Sequence, residues 1–130
     1  NVESRGLGDV YKRQKYRYYS ELKHSKFLIS PFGYGEINLK DFESFLYGCI
    51  LLKPNMDHLE TWPNFYIKDQ TYIDFRWDLQ NFKSKIENVL SNYNDHVNIA
   101  MYGQELYHKY LNSESENNNF CLRFKKLLCY

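Results

Sequence analysis

The chain has 130 residues, 43% of them hydrophobic, and a formal net charge of +1. This is room for about one domain with a real core, and there is no basic excess to point to nucleic acid or an anionic membrane surface. Three cysteines, an odd number without metal-ligand spacing, fit free thiols in a reducing compartment rather than a disulfide scaffold. No apolar run reaches membrane-spanning length and no signal peptide is visible.

The first fourteen residues read NVESRGLGDVYKRQ. Asp9-Val10-Tyr11-Lys12-Arg13-Gln14 resembles the translation of a transposon-end adapter used in sequencing libraries. Residues 1–14 are therefore expected to be non-native and to take no part in a core, with the native chain starting near Lys15. Setting aside three basic and two acidic residues in that segment leaves fourteen of each sign, a net charge of zero.

Lys15 to His24 has the pattern of an amphipathic helix end, with Tyr18, Tyr19 and Leu22 inward. Lys26 to Ser30 is a short apolar run stopped by Pro31 and is expected to be a buried strand. Pro31 to Ile37 is a loop carrying Gly33 and Gly35. Asn38 is placed to cap a helix over Leu39–Tyr47, which Gly48 ends. Ile50 to Lys53 is a second apolar strand, stopped by Pro54. Two strands joined through a helix form a βαβ unit, which implies parallel pairing and a right-handed crossover.

Asn55 to Pro63 is a connection. Thr71 to Phe75 predicts a third strand. Asp78 is expected to cap a helix to about Leu90, with Leu79, Phe82, Ile86 and Leu90 on one face. His96 to Leu111 predicts another helix, with Gly103 inside it. Asn112 to Asn119 is polar and reads as a loop. Phe120 to Leu128 reads as a closing amphipathic helix, favoured as a packing element over a membrane anchor. The fold class is α/β, with a parallel sheet flanked by helices.

Around the first glycine loop the chemistry concentrates. On a helical wheel Leu39, Phe42, Phe45 and Leu46 fall on one side, ready to pack on the sheet. Glu36, Lys40, Glu43 and Tyr47 fall on the other, toward the crevice where α/β folds bind ligands. Backbone N–H groups after Gly33 and Gly35, together with the helix N-terminus, suit a diphosphate. Lys40 would add positive charge, Glu43 would accept from ribose hydroxyls and Glu36 would reach an attached sugar. An ordinary solvated face with an i,i+3 ion pair accounts for the same three residues about as well, and the third glycine of the dinucleotide fingerprint is missing.

Ser30-Pro31-Phe32-Gly33-Tyr34-Gly35-Glu36, Lys40-Asp41-Phe42-Glu43 and Gly48 through Pro54 resemble the C-terminal half of GT-B-fold glycosyltransferases, closest to the family 1/4-like, spore-coat CgeB-like group. The resemblance continues through Met56-Asp57-His58-Leu59-Glu60-Thr61 and Pro63, and more weakly to Leu111. It implies a Rossmann-like half, residues 15–130, binding a nucleotide-sugar donor, with 112–130 a polar loop and C-terminal helix. Glu43 matches the ribose-holding glutamate. Gly33, Tyr34, Gly35 and Glu36 match the loop near diphosphate and sugar, Glu36 being the catalytic candidate. Lys40 stands where many relatives have arginine, and His58, Glu60 and Thr61 form a candidate donor loop.

One departure matters: Glu36 and Glu43 are separated by six residues, against seven in many retaining relatives, which leaves stereochemistry open. The resemblance further implies a glycan or glycoconjugate acceptor, no metal or other cofactor, and a separate N-terminal half without which transfer does not proceed. It implies a cytoplasmic setting, or one peripheral to the membrane through partners, in polysaccharide assembly. The competing readings are a non-catalytic nucleotide or phospho-ligand module and a protein-interaction domain.

Overall fold

The computed structural model describes residues 2–129, with side chains described from Val10 onward. Among them are five helices and one three-stranded sheet: α1 (Val2–His24), β1 (Phe27–Ile29), α2 (Leu39–Tyr47), β2 (Ile50–Pro54), β3 (Tyr72–Phe75), α3 (Phe82–Ser91), α4 (Tyr93–Asn112) and α5 (Glu114–Leu128). The strands lie in the order β1-β2-β3, all parallel, with Phe27 opposite Ile50 and Leu52 opposite Ile73. The expected α/β class and the βαβ unit are present, in a layout consistent with a Rossmann-like arrangement.

Period-two alternation divides the core between the two sheet faces. Ile50, Leu52, Ile73 and Phe75 pack with Val89 of α3 and Ala100 of α4. Leu51 and Tyr72 point the other way, onto Phe45 of α2 and onto Met56 and Tyr66 of the connection between β2 and β3. The central strand β2 is buried along its whole length, as a parallel strand covered on both faces must be.

The helix caps explain why α2 sits where the sequence places it. Asn38 is extended and accepts from the Lys40 N–H, while the Asp41 carboxylate accepts from the Asn38 N–H, a reciprocal capping box. Gly48 closes the helix at φ 70°, a left-handed conformation that favours glycine. Gly103 of α4 lies against Phe45 and the Thr71 carbonyl, so a Cβ there would stand 3.1 Å and 3.2 Å from them. Its missing side chain lets α4 pass close under the starting ends of the strands.

Three local expectations are corrected. The apolar stripe assigned to α2 is only half its inward face: Phe45 is buried and Phe42 packs against the core as expected, but Leu39 and Leu46 are exposed, and Asp41 and Ser44 are buried in their stead. Asp78 does not cap α3. Its carboxylate is held by Arg76 and the Gln80 N–H, Leu79 turns to φ 63°, and the helix starts at Phe82, with Val89 rather than Leu90 inward. The 112–119 segment is not a loop. Ser113 caps α5, accepting from the Glu116 N–H, and the helix runs on from Glu114. The Ser-x-x-Glu spacing at 113–116 is the sequence signal for that start.

The expectation about residues 1–14 lies partly outside the described side chains. The helix α1 runs through the segment, and from Val10 to Gln14 every side chain is exposed. The first core contribution of α1 is Leu22.

Candidate functional site

At the carboxyl ends of the strands lies an open cleft of about 590 Å³, lined by Phe32, Asn55, His58, Arg76 and Trp77. Each strand delivers part of it. Phe32 follows β1, Asn55 and His58 follow β2, and Arg76 and Trp77 follow β3. This is the edge at which parallel α/β sheets place ligands.

A fully buried polar cluster supports the wall below Phe32. Lys53 of β2 and Asp41 of α2 are both wholly inaccessible, with Nζ 3.1 Å from Oδ2 and 3.2 Å from Oδ1. The carboxylate also accepts from Ser30 Oγ at 2.5 Å and from the Tyr66 hydroxyl at 2.7 Å. The Phe32 ring lies over Lys53 Nζ at 5.4 Å. Burying an ion pair is tolerable only when its remaining hydrogen-bonding capacity is met, and here Asn38, Ser30 and Tyr66 meet much of that of the carboxylate. The pair pins the start of α2 to the central strand and so anchors the helix end of the loop that leads from β1 into α2. Burial, then the hydrogen bond to Asp41, pushes the Tyr66 phenol far up.

The opposite wall is ordered by a second polar set. Arg76 makes three hydrogen bonds to the Asp78 carboxylate, at 2.7 to 3.2 Å. The pairing holds Asp78 below the usual carboxylate range and raises Arg76. Trp77 is 81% exposed, an unusual state for so large an apolar residue. Behind them Asn55 donates to Asp57 and to Asp74, which also pairs with Lys68 at 3.1 Å. Burial pushes the Asp74 carboxyl up, but Asn55, Lys68 and Lys85 outweigh it and the net shift is downward. Asp74 Oδ1 has no hydrogen bond, its nearest cation being Lys85 at 3.5 Å.

The structure brings together only part of the predicted site. Glu36 reaches the cleft through His58, with Oε1 3.6 Å from Nε2, and the His58 ring stands edge-on to Phe32. Gly33, Tyr34 and Gly35 lie on the exposed loop, with Tyr34 fully solvated. Lys40 is exposed at the start of α2. Glu43 faces α1 and accepts a 2.5 Å hydrogen bond from the Tyr18 hydroxyl, while Tyr47 stacks on Tyr19. The polar side of α2 is thus divided between loop and helix contact, and does not line the crevice as one surface. Glu60 is exposed, and the Thr61 hydroxyl donates to Asn64.

Cys49 is buried, with Sγ 3.4 Å from the carbonyls of Leu22 and Ser25, and burial raises its thiol pKa. Such a thiol is a small packing group rather than a nucleophile. Among the described residues no cluster of three or more His, Cys, Asp or Glu is arranged to hold a metal ion.

Sequence reasoning missed Asp41, Lys53, Asn55, Arg76 and Trp77 as parts of this site. Arg76-Trp77 directly after a predicted strand was the available signal, because that position falls at the sheet's binding edge. Nothing in the sequence distinguishes Lys53 from a surface lysine except its place inside an otherwise apolar run. Comparison with family models, with curated proteins and with solved structures finds no match to this chain.

Proposed function

We propose that the chain is the donor-binding half of a glycosyltransferase, holding a nucleotide-sugar in the cleft at the carboxyl edge of the sheet for transfer to a glycan or glycoconjugate acceptor. The observation that carries this reading is the convergence of all three parallel strands on one cleft that combines exposed aromatic surface, Trp77 and Phe32, with one ordered guanidinium, Arg76. A flat base or sugar ring suits the aromatics and a diphosphate suits the guanidinium. The Gly33–Gly35 loop and the start of α2 follow β1 at the same edge of the sheet.

In this reading the Arg76 N–H groups not bound to Asp78 donate to the diphosphate, and Glu36, oriented by His58, meets the donor sugar. Glu43, expected to hold the ribose, faces α1 and Tyr18 instead and is given no part in this cleft. The departing diphosphate needs stabilisation in the transition state, which oriented dipoles and a fixed cation supply. Transfer requires the acceptor-binding half as well, so the chain alone binds donor without turning it over.

Ligand-observed NMR with a panel of nucleotide-sugars tests the proposal. Binding is expected for at least one member, and Arg76→Gln is expected to weaken it by about 1.5–3 kcal/mol, the loss of a charge-assisted hydrogen bond. Absence of binding to well-folded protein would count against the proposal.

A further inference from the structure

Lys53 is wholly buried, and among the described residues the only oxygens within hydrogen-bonding reach of its ammonium belong to Asp41, at 3.1 Å and 3.2 Å. The two members of this pair are unequally supplied. The carboxylate, with about four lone-pair sites, accepts from the Ser30 and Tyr66 hydroxyls and the Asn38 N–H as well as from Lys53. The ammonium, with about three donors, keeps at least one hydrogen without an oxygen acceptor. What lies over it is the Phe32 ring, 5.4 Å from Nζ to the centroid. An aromatic face is a weaker partner for an ammonium than an anionic oxygen. Phe32 also lines the cleft and is only half-buried. It leads straight into the exposed loop at Gly33–Gly35, and a Cβ at either glycine would have no neighbour within 4 Å. Nothing packs against the loop there, so the segment that carries Phe32 has room to shift.

We infer that Lys53 is a concealed phosphate-binding group of the cleft: a phosphate displaces the Phe32 ring and takes the ammonium hydrogen beneath it. The inference rests on the reading of the cleft as a diphosphate site and assigns that site a second cationic donor, on the wall opposite Arg76. Asp41 does not oppose the step, because Ser30, Tyr66 and Asn38 continue to hold its carboxylate while the ammonium turns one hydrogen to the ligand. A purely structural ion pair would need no such surplus on one partner and deficit on the other. The Phe32 ring then acts as a gate, keeping water from the ammonium until an anion replaces it.

The test uses the full chain and inorganic pyrophosphate, which has no base or sugar ring and so makes no use of Phe32 as a stacking surface. Binding is read by titration calorimetry. An open state populated at about 10% or less lowers the apparent affinity by that fraction, so Phe32→Ala should tighten pyrophosphate binding about tenfold or more. Lys53→Met with Asp41→Leu removes both charges together and should weaken binding about tenfold or more, the loss of a charge-assisted hydrogen bond. A second readout does not depend on that double variant folding. On treatment with acetic anhydride and mass spectrometry, Lys53 should resist acetylation in the wild-type chain, react in Phe32→Ala and be protected there by pyrophosphate. Pyrophosphate affinity unchanged in both variants, or a Lys53 that pyrophosphate fails to protect in Phe32→Ala, would overturn the inference and leave the cleft to Arg76 and Trp77. No pyrophosphate binding to either the wild-type chain or Phe32→Ala would also overturn it. A nucleotide-sugar that still bound would then keep the reading of the cleft, and a panel without a binder would remove both.

Discussion

Lys53 and Asp41 meet 3.1 Å apart with both side chains wholly buried, one from the central strand and the other from the helix that crosses over it. This pair ties the βαβ unit together directly beneath the candidate site. Removing one partner strands a charge in the core, so Lys53→Met or Asp41→Leu should each destabilise the protein by about 3–5 kcal/mol. The double substitution should recover much of that loss, because two apolar groups of similar volume leave no orphan charge. Urea unfolding of the four proteins gives the coupling; additive losses would show that the pair is not a unit.

The buried phenols predict a stability limit at high pH. Burial, then the Glu43 hydrogen bond, pushes Tyr18 up to about 12. Tyr66 is raised by burial and Asp41, and Tyr72 by burial. Free phenols titrate at 10.0, so above that pH the unfolded chain loses protons that the folded chain retains. Stability from these groups is therefore fully present below pH 10.0 and falls as pH rises toward and past about 12. Urea midpoints across this range, followed beside phenolate absorbance, should decline; Tyr66→Phe should make the decline shallower. Flat midpoints would contradict it.

Gly103 should not tolerate alanine. In a free helix the change gains about 1 kcal/mol. Here the new methyl meets the Thr71 carbonyl and the packed Phe45 ring, and overpacking costs typically about 1–3 kcal/mol. The backbone carbonyl cannot rotate away, so the net effect should be destabilising, read as a lower urea midpoint. A raised midpoint would mean that α4 shifts freely.

Residues 1–14 should be dispensable. The described side chains from Val10 to Gln14 are exposed; α1 first becomes half-buried at Tyr18 and Tyr19 and first enters the core at Leu22. Deleting the segment should leave the melting temperature unchanged, and a large drop would show that it stabilises the fold.

The βαβ unit was legible because each of its signals is local. Asn38 and Asp41 cap, Gly48 stops, and the two apolar runs are bounded by proline. The inward face of α2 was legible in Phe42 and Phe45 but not in the rest, which a tertiary partner sets: once Lys53 points at the helix, Asp41 must point back, and Leu39 and Leu46 are turned out. Asp78 failed as a cap for a similar reason, since Arg76 two residues earlier claims its carboxylate. Of the candidate site, the Glu36 loop and His58 were visible as loop chemistry following strands. Arg76 and Trp77 gain their meaning only when three strand ends are brought side by side.

The central proposal, that the cleft holds a nucleotide-sugar, is tested most directly by saturation-transfer NMR with a nucleotide-sugar panel on the wild-type chain and on Trp77→Ala. Trp77 is exposed and carries little of the core, so its removal should leave the fold intact. The account predicts saturation of base or sugar protons for at least one donor, and its loss in Trp77→Ala. Absence of transfer from every donor to folded protein, or transfer unchanged by Trp77→Ala, would contradict it.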